Sequence, residues 1–168
     1  MVADQIKGDT LHHNYGINDY SRSAESAEAN SQKAERLSQQ RWLFIDEISQ
    51  VNAELLAKVD SKARMLIQDE GTYRVCPSTA NVRDFGGINV VYVGDFLQLP
   101  PPGISGTPLT DIPDRVLQCN TTNATVQAGL NLLWDTDTMV ELTQQVRINE
   151  GDRWWLEVAM SPRLLKRP

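Results

Sequence analysis

Two strings in this chain have the residue types and spacing to handle phosphate chemistry. The first is Trp42-Leu43-Phe44-Ile45, a continuous apolar run closed by the adjacent acids Asp46 and Glu47. One carboxylate of such a pair can hold Mg²⁺, usually through water because this ion gives up its hydration reluctantly. The other can polarise a water for attack on a γ-phosphate. This is the shape of a Walker B segment in nucleoside triphosphatases, although an acidic pair after a strand also serves as a plain helix-start signal. The second string, Gly94-Asp95-Phe96-Leu97-Gln98-Leu99-Pro100-Pro101, closes another apolar run. It sets the neutral amide of Gln98 near the same phosphate position. An amide donates to a phosphate oxygen and accepts from a water, so it can register whether the γ-phosphate is present.

The elements that must position these residues follow from periodicity. Trp42–Ile45 has no polar alternation and reads as a strand covered on both faces, as in a parallel sheet. Asn52 is a suitable N-cap, with Glu54 in the first turn where a carboxylate complements the helix dipole. Leu55, Leu56, Val59, Ala63, Leu66 and Ile67 recur at helical spacing, and Gly71 is the stop signal. Residues 72–87 read as a loop, and Ile88–Val93 as a second buried strand. Upstream, residues 21–40 are rich in Ala, Glu, Ser, Lys and Gln and read as a polar, exposed helical insertion. Residues 100–126 read as a surface loop that begins with three prolines. Gln127–Trp134 reads as a short helix, Thr138–Leu142 as a third strand and Trp154–Met160 as a last helix. At that spacing Trp154 and Trp155 fit core positions better than base-stacking ones. Strand and helix alternate, which predicts an α/β sheet. In such a sheet ligands bind at the carboxyl ends of strands, where both strings fall.

Composition narrows the classes. A chain of 168 residues holds one ordinary domain, too little for a complete multi-domain motor. Sixteen Lys and Arg against 22 Asp and Glu give a net charge of -6. Phosphate neutralisation by a generally basic surface is therefore excluded, while a local basic groove is allowed. Cys76 and Cys119 lie far apart, without the paired spacing of a zinc site, and read as reduced thiols. No apolar run reaches the ~20 residues of a membrane span. The first residues lack the basic and apolar regions of a secretion signal, so a protein that is not secreted is expected. Asn120-Thr-Thr and Asn123-Ala-Thr then read as chance glycosylation triplets.

Taken with their order, these strings resemble a known family. Leu43-Phe44-Ile45-Asp46-Glu47-Ile48-Ser49 is similar to motif II of the PIF-type DNA helicases, relatives of RecD and of Helitron helicases. The run from Gly86 to Pro101 is similar to their motif III. Ile6, Gly8, Thr10 and His12 resemble motif Ia, which lies along single-stranded DNA, although His13 stands where the family often has Ser. Leu142-Thr143-Gln144-Gln145-Val146-Arg147 resembles motif IV. The resemblance implies an ATP-dependent DNA helicase that uses ATP and Mg²⁺, acts on single-stranded or duplex DNA, and serves repair, recombination and telomere maintenance. It implies Asp46 for the metal, Glu47 as catalytic base, Gln98 as γ-phosphate sensor and Arg147 as the charge on the transition state. Thr10 and His12 would touch DNA. From the residues alone, His12 also fits an ordinary surface position and Arg147 a surface salt bridge. A nuclear address is expected, with a mitochondrial one as the alternative.

A Walker A loop needs Gly-x-x-x-x-Gly-Lys followed by Ser or Thr. None of the ten glycines is followed by Lys-Ser or Lys-Thr. In the family that loop precedes motif Ia, and a second motor domain follows motif IV. The expectation is therefore an interior slice of the first motor domain, a partial RecA-like P-loop fold without its Walker A strand, inactive by itself. A non-catalytic remnant that binds DNA or a partner protein is the competing reading. A three-strand sheet is predicted, with a gap or forced pairing between the Ile88 and Thr138 strands and aggregation-prone edges.

Overall fold

The computed structural model describes residues 8–17, 27–67, 74–96, 98, 101, 106–118 and 123–144. Contacts divide the chain into two compact units, Met1–Thr136 and Asp137–Pro168. The first unit is built, in order, from α1 (Leu11–Tyr15), α2 (Ala27–Ser38), β1 (Trp42–Ile45), α3 (Ala53–Leu66), β2 (Asn89–Tyr92), α4 (Asp114–Leu117) and α5 (Ala124–Trp134).

β1 and β2 pair in parallel, from Trp42 opposite Asn89 to Ile45 opposite Tyr92. The connection between them carries α3, the crossover element that a parallel pair requires. Asn52 caps α3 by accepting from the Leu55 amide at 2.8 Å. The helix buries Ala53, Leu56, Ala57, Val59, Ala63 and Leu66. That stripe joins Leu43, Ile45, Ile48, Phe85, Ile88, Val126 and Leu130 in one core. α5 packs closely on α3. The contact is so tight that a Cβ at Gly129 would lie 1.9 Å from the Ala53 carbonyl oxygen.

Several expectations change. α2 is exposed over most of its described length, yet Leu37 is fully buried and Arg36 reaches Asn14 at 2.8 Å. One side of that polar helix is thus anchored by packing as well as propensity. β1 is covered on one face only, since Leu43 and Ile45 are buried while Trp42 and Phe44 are 56% and 67% exposed. An apolar run shows that a strand prefers burial but not how many layers are present to bury it. The stretch expected as loop over 72–87 holds an antiparallel bridge between Val75 and Val82. Residues 100–126 include α4, the start of α5 and the buried Leu109. Thr138–Leu142 forms no strand: among the described residues the sheet consists of β1 and β2 alone. A strand exists through its ladder, and this segment has no described neighbour to bond. The helix expected over Trp154–Met160 and the stop at Gly71 lie outside the described residues.

Candidate active site at the carboxyl ends of the strands

Beyond the last ladder pair, the two strand ends remain knitted together. The Val93 amide donates to the Ile45 carbonyl at 2.8 Å, and the Ile48 amide donates to the Val93 carbonyl at 3.0 Å. This brings the Asp46–Glu47 step alongside Gly94–Asp95. The approach depends on Gly94, where a Cβ would meet the Ile48 backbone nitrogen at 2.9 Å. Both acids are exposed. Asp46 Oδ1 accepts from the Glu47 amide at 2.9 Å, so the carboxylate is held by its own chain.

Glu47 has φ 52° and ψ 46°, a left-handed conformation rare for a residue with a Cβ. It turns the chain from the strand into a short 3-10 turn, Ile48–Gln50, which leads to the Asn52 cap. Strain of this kind persists only where neighbouring packing over-determines it. Here buried Ile48 and the Ile48–Val93 bond supply that constraint. Gln98 is exposed, and its amide donates to the Asp95 carbonyl at 3.1 Å, closing a turn just after β2.

A brace that the sequence reading did not anticipate stands behind these residues. Glu54 accepts from the Thr107 amide at 3.1 Å and from its hydroxyl at 3.1 Å, while the Ala53 amide donates to the Thr107 carbonyl at 2.9 Å. Thr107 is thereby fastened to the helix that follows the acid pair. Glu54 was readable as a dipole-complementing residue, but its partner lies 53 positions away.

The remaining candidates lie elsewhere in the chain. Thr10 is the N-cap of α1, its hydroxyl accepting from the His13 amide at 3.2 Å. His12 is exposed on that helix. Its neighbour His13 bonds Asp9 and holds that carboxyl below the usual carboxylate range. Arg147 lies outside the described residues, so nothing places it against the strand ends.

The donor set can be tested against the implied metal. Among the described residues no three His, Cys, Asp or Glu side chains converge to cage an ion. An exposed Asp46 with one oxygen left for a water fits a Mg²⁺ that keeps its hydration and arrives with phosphates. When bound, such an ion would neutralise charge on the phosphates.

Comparison with known proteins gives a consistent result. The family model for PIF1-like helicase matches residues 1–154. The chain is 32% identical over 157 residues to the human ATP-dependent DNA helicase PIF1, covering 88% of this chain and 22% of that protein. It is 34% identical over 105 residues to the ATP-dependent DNA helicase PIF1 of Emericella nidulans, covering 60% of this chain and 12% of that protein. A Bacteroides Pif1 crystal structure with bound single-stranded DNA aligns over 61% of this chain and 22% of that one. The identity there is 32% and the TM-score 0.44. The chain therefore spans under a quarter of the length of these relatives.

Proposed function

Because the chain belongs to the PIF1-like helicase family, we propose that it supplies the acid-bearing half of the ATP site of a DNA helicase. The observation that carries this reading is the knitting of the Asp46–Glu47 step to the Gly94–Asp95 step at the carboxyl ends of two parallel strands. In the proposed mechanism Asp46 would hold a hydrated Mg²⁺ that neutralises phosphate charge, and Glu47 takes a proton from the attacking water. Gln98 contacts the γ-phosphate and that water, and Arg147 neutralises charge that develops on the phosphoryl group. Thr10 and His12 provide contacts to single-stranded DNA, and unwinding in repair, recombination and telomere maintenance is the proposed setting.

The test is Glu47→Gln in a protein that joins this segment to a Gly-Lys-Ser or Gly-Lys-Thr loop. Hydrolysis should drop by about 10²–10⁴ while ATP binding is retained, as expected for loss of a general base. Hydrolysis within about threefold of the unsubstituted protein would remove Glu47 from the mechanism. Absence of any Mg²⁺-ATP binding would favour a non-catalytic remnant.

A further inference from the structure

At the opposite, amino end of the strands lies a cavity of about 370 Å³. Ligand sites typically begin near 300 Å³. Its wall includes Arg41 and Trp42 before and at the start of β1, Ile88 and Asn89 before and at the start of β2, and Arg74. Among the described residues that line it there is no Asp or Glu. In a chain of net charge -6, two arginines without a carboxylate among the described lining residues are a local reversal of sign.

Arg41 has a partner of its own. Arg74 is the group with donors to spare. Among the described residues its Nη2 makes one long contact, 3.4 Å, to the Arg64 carbonyl, and its Nε is buried with no acceptor. Buried donors are nearly always paired, and a guanidinium is a planar fork suited to phosphate. The backbone of Arg74 is fixed, because its carbonyl accepts from the Arg83 amide at 2.8 Å beside the Val75–Val82 bridge. The same cavity is lined by an aromatic side chain. Trp42 is 56% exposed and stacks on Phe44 with centroids 6.4 Å apart and planes at 28°. An exposed aromatic and a cation lining one cavity suit a nucleobase with its phosphate.

We propose that this cavity binds a nucleotide unit, with the phosphate on Arg74 and the base against Trp42. The nucleotide is either free or part of a nucleic-acid strand. The site is separate from the Asp46–Glu47 end, which lies roughly 13 Å away along a four-residue strand. It does not depend on the proposed ATPase role.

The experiment titrates AMP into the 168-residue chain without divalent cation, followed by NMR and equilibrium dialysis. Saturable binding with Kd near or below about 1 mM is expected. Arg74→Gln should weaken it about tenfold, while Asp46→Asn changes it by less than about twofold. Trp42→Ala should weaken AMP while leaving inorganic phosphate unaffected. Arg74→Lys keeps the charge without the fork. A loss of about threefold with an unchanged urea midpoint would show the effect independently of folding. Parallel titration with a short oligothymidylate separates the two sources. Arg74-dependent binding of AMP alone indicates a free nucleotide, and Arg74-dependent binding of the oligomer indicates a strand. The proposal is overturned if neither probe saturates by about 10 mM, or if binding is indifferent to R74Q. It is equally overturned if D46N abolishes binding.

Discussion

At the amino end of the β1–β2 pair, one partly buried arrangement ties three segments together. Asp60 is only 14% exposed and receives Arg64 Nε through both oxygens, at 2.9 and 2.8 Å. The same carboxylate accepts from the Phe85 amide at 2.6 Å. Arg64 also donates to the Val82 carbonyl at 2.8 Å and to Asp84. At the carboxyl end, Asp46 and Glu47 are exposed, and the one bond described to either carboxylate comes from the adjacent amide. Both ends contain backbone in the left-handed region, Phe85 at φ 51° and Glu47 at φ 52°. At Phe85 the amide is held by a largely buried carboxylate from a distant helix, whereas at Glu47 it is held by the adjacent, exposed Asp46 carboxylate, with packing and main-chain bonds around it. The difference shows where this chain spends its charge. The acids that fix the fold are bonded across distant segments, and the two acids proposed for chemistry are exposed.

The sharpest way to break this contrast is Asp60→Ala. It removes one of the two acidic partners of Arg64 and strips the Phe85 amide of its acceptor, and should cost about 2–3 kcal/mol in urea unfolding. Asp46→Ala, at the other end, should lie within about 0.5 kcal/mol of the unsubstituted chain. Equal losses would erase the distinction between the ends. The Glu54–Thr107 brace is intermediate. Glu54→Ala is expected to cost about 1–2 kcal/mol, since both the Thr107 amide and its hydroxyl lose an acceptor. The hydroxyl alone can be removed with Thr107→Val, at about half that cost. At Glu47 the sign reverses. Glu47→Gly removes the penalty of a Cβ in the left-handed region and should stabilise by about 0.5–1 kcal/mol, after allowing for the added entropy of glycine. If E47G destabilises instead, the Glu47 side chain contributes to the fold and is not simply held ready for chemistry.

What could be read in advance follows the same division. β1, α3 and the acid step were visible because local periodicity and a cap define them, and Asn52 caps α3 as the residue type suggests. The i,i+4 spacing of Asp60 and Arg64 is also local, but Asp84 and the Phe85 amide join them from 20 to 25 residues further on. Thr107 was invisible for that reason too. The uncovered face of β1 had no local signal, because Trp42 and Phe44 are as apolar as Leu43 and Ile45. Thr138–Leu142 has strand-like composition, yet Met139, Val140 and Leu142 are exposed and carry no ladder. Propensity proposes a strand, and a neighbour is needed to make one. Arg74 was missed because a lone arginine in a loop looks the same whether it faces water or a cavity.

The smallest effect tests whether the bridged turn between Arg74 and Arg83 is as ordered as the rest of the amino end. Hydrogen bonds from Ser78, then Thr79, stabilise the Cys76 thiolate and pull its pKa down from 9.0 to about 6. These bonds require the turn in which the Ala80 amide donates to the Cys76 carbonyl at 2.9 Å. Alkylation by iodoacetamide should therefore rise through about pH 6 in the folded chain and through about pH 8.5 in urea. Because the folded pKa is the lower one, any stability linked to this group is present above the unfolded value. It fades as pH falls through about 6. Ser78→Ala should move the folded profile upward with little change in the urea midpoint, since the thiol is on the surface. A folded profile that already coincides with the unfolded one would mean the turn is not held in solution. Arg74, at the base of the same bridge, would then lose the anchoring that preorganises its guanidinium.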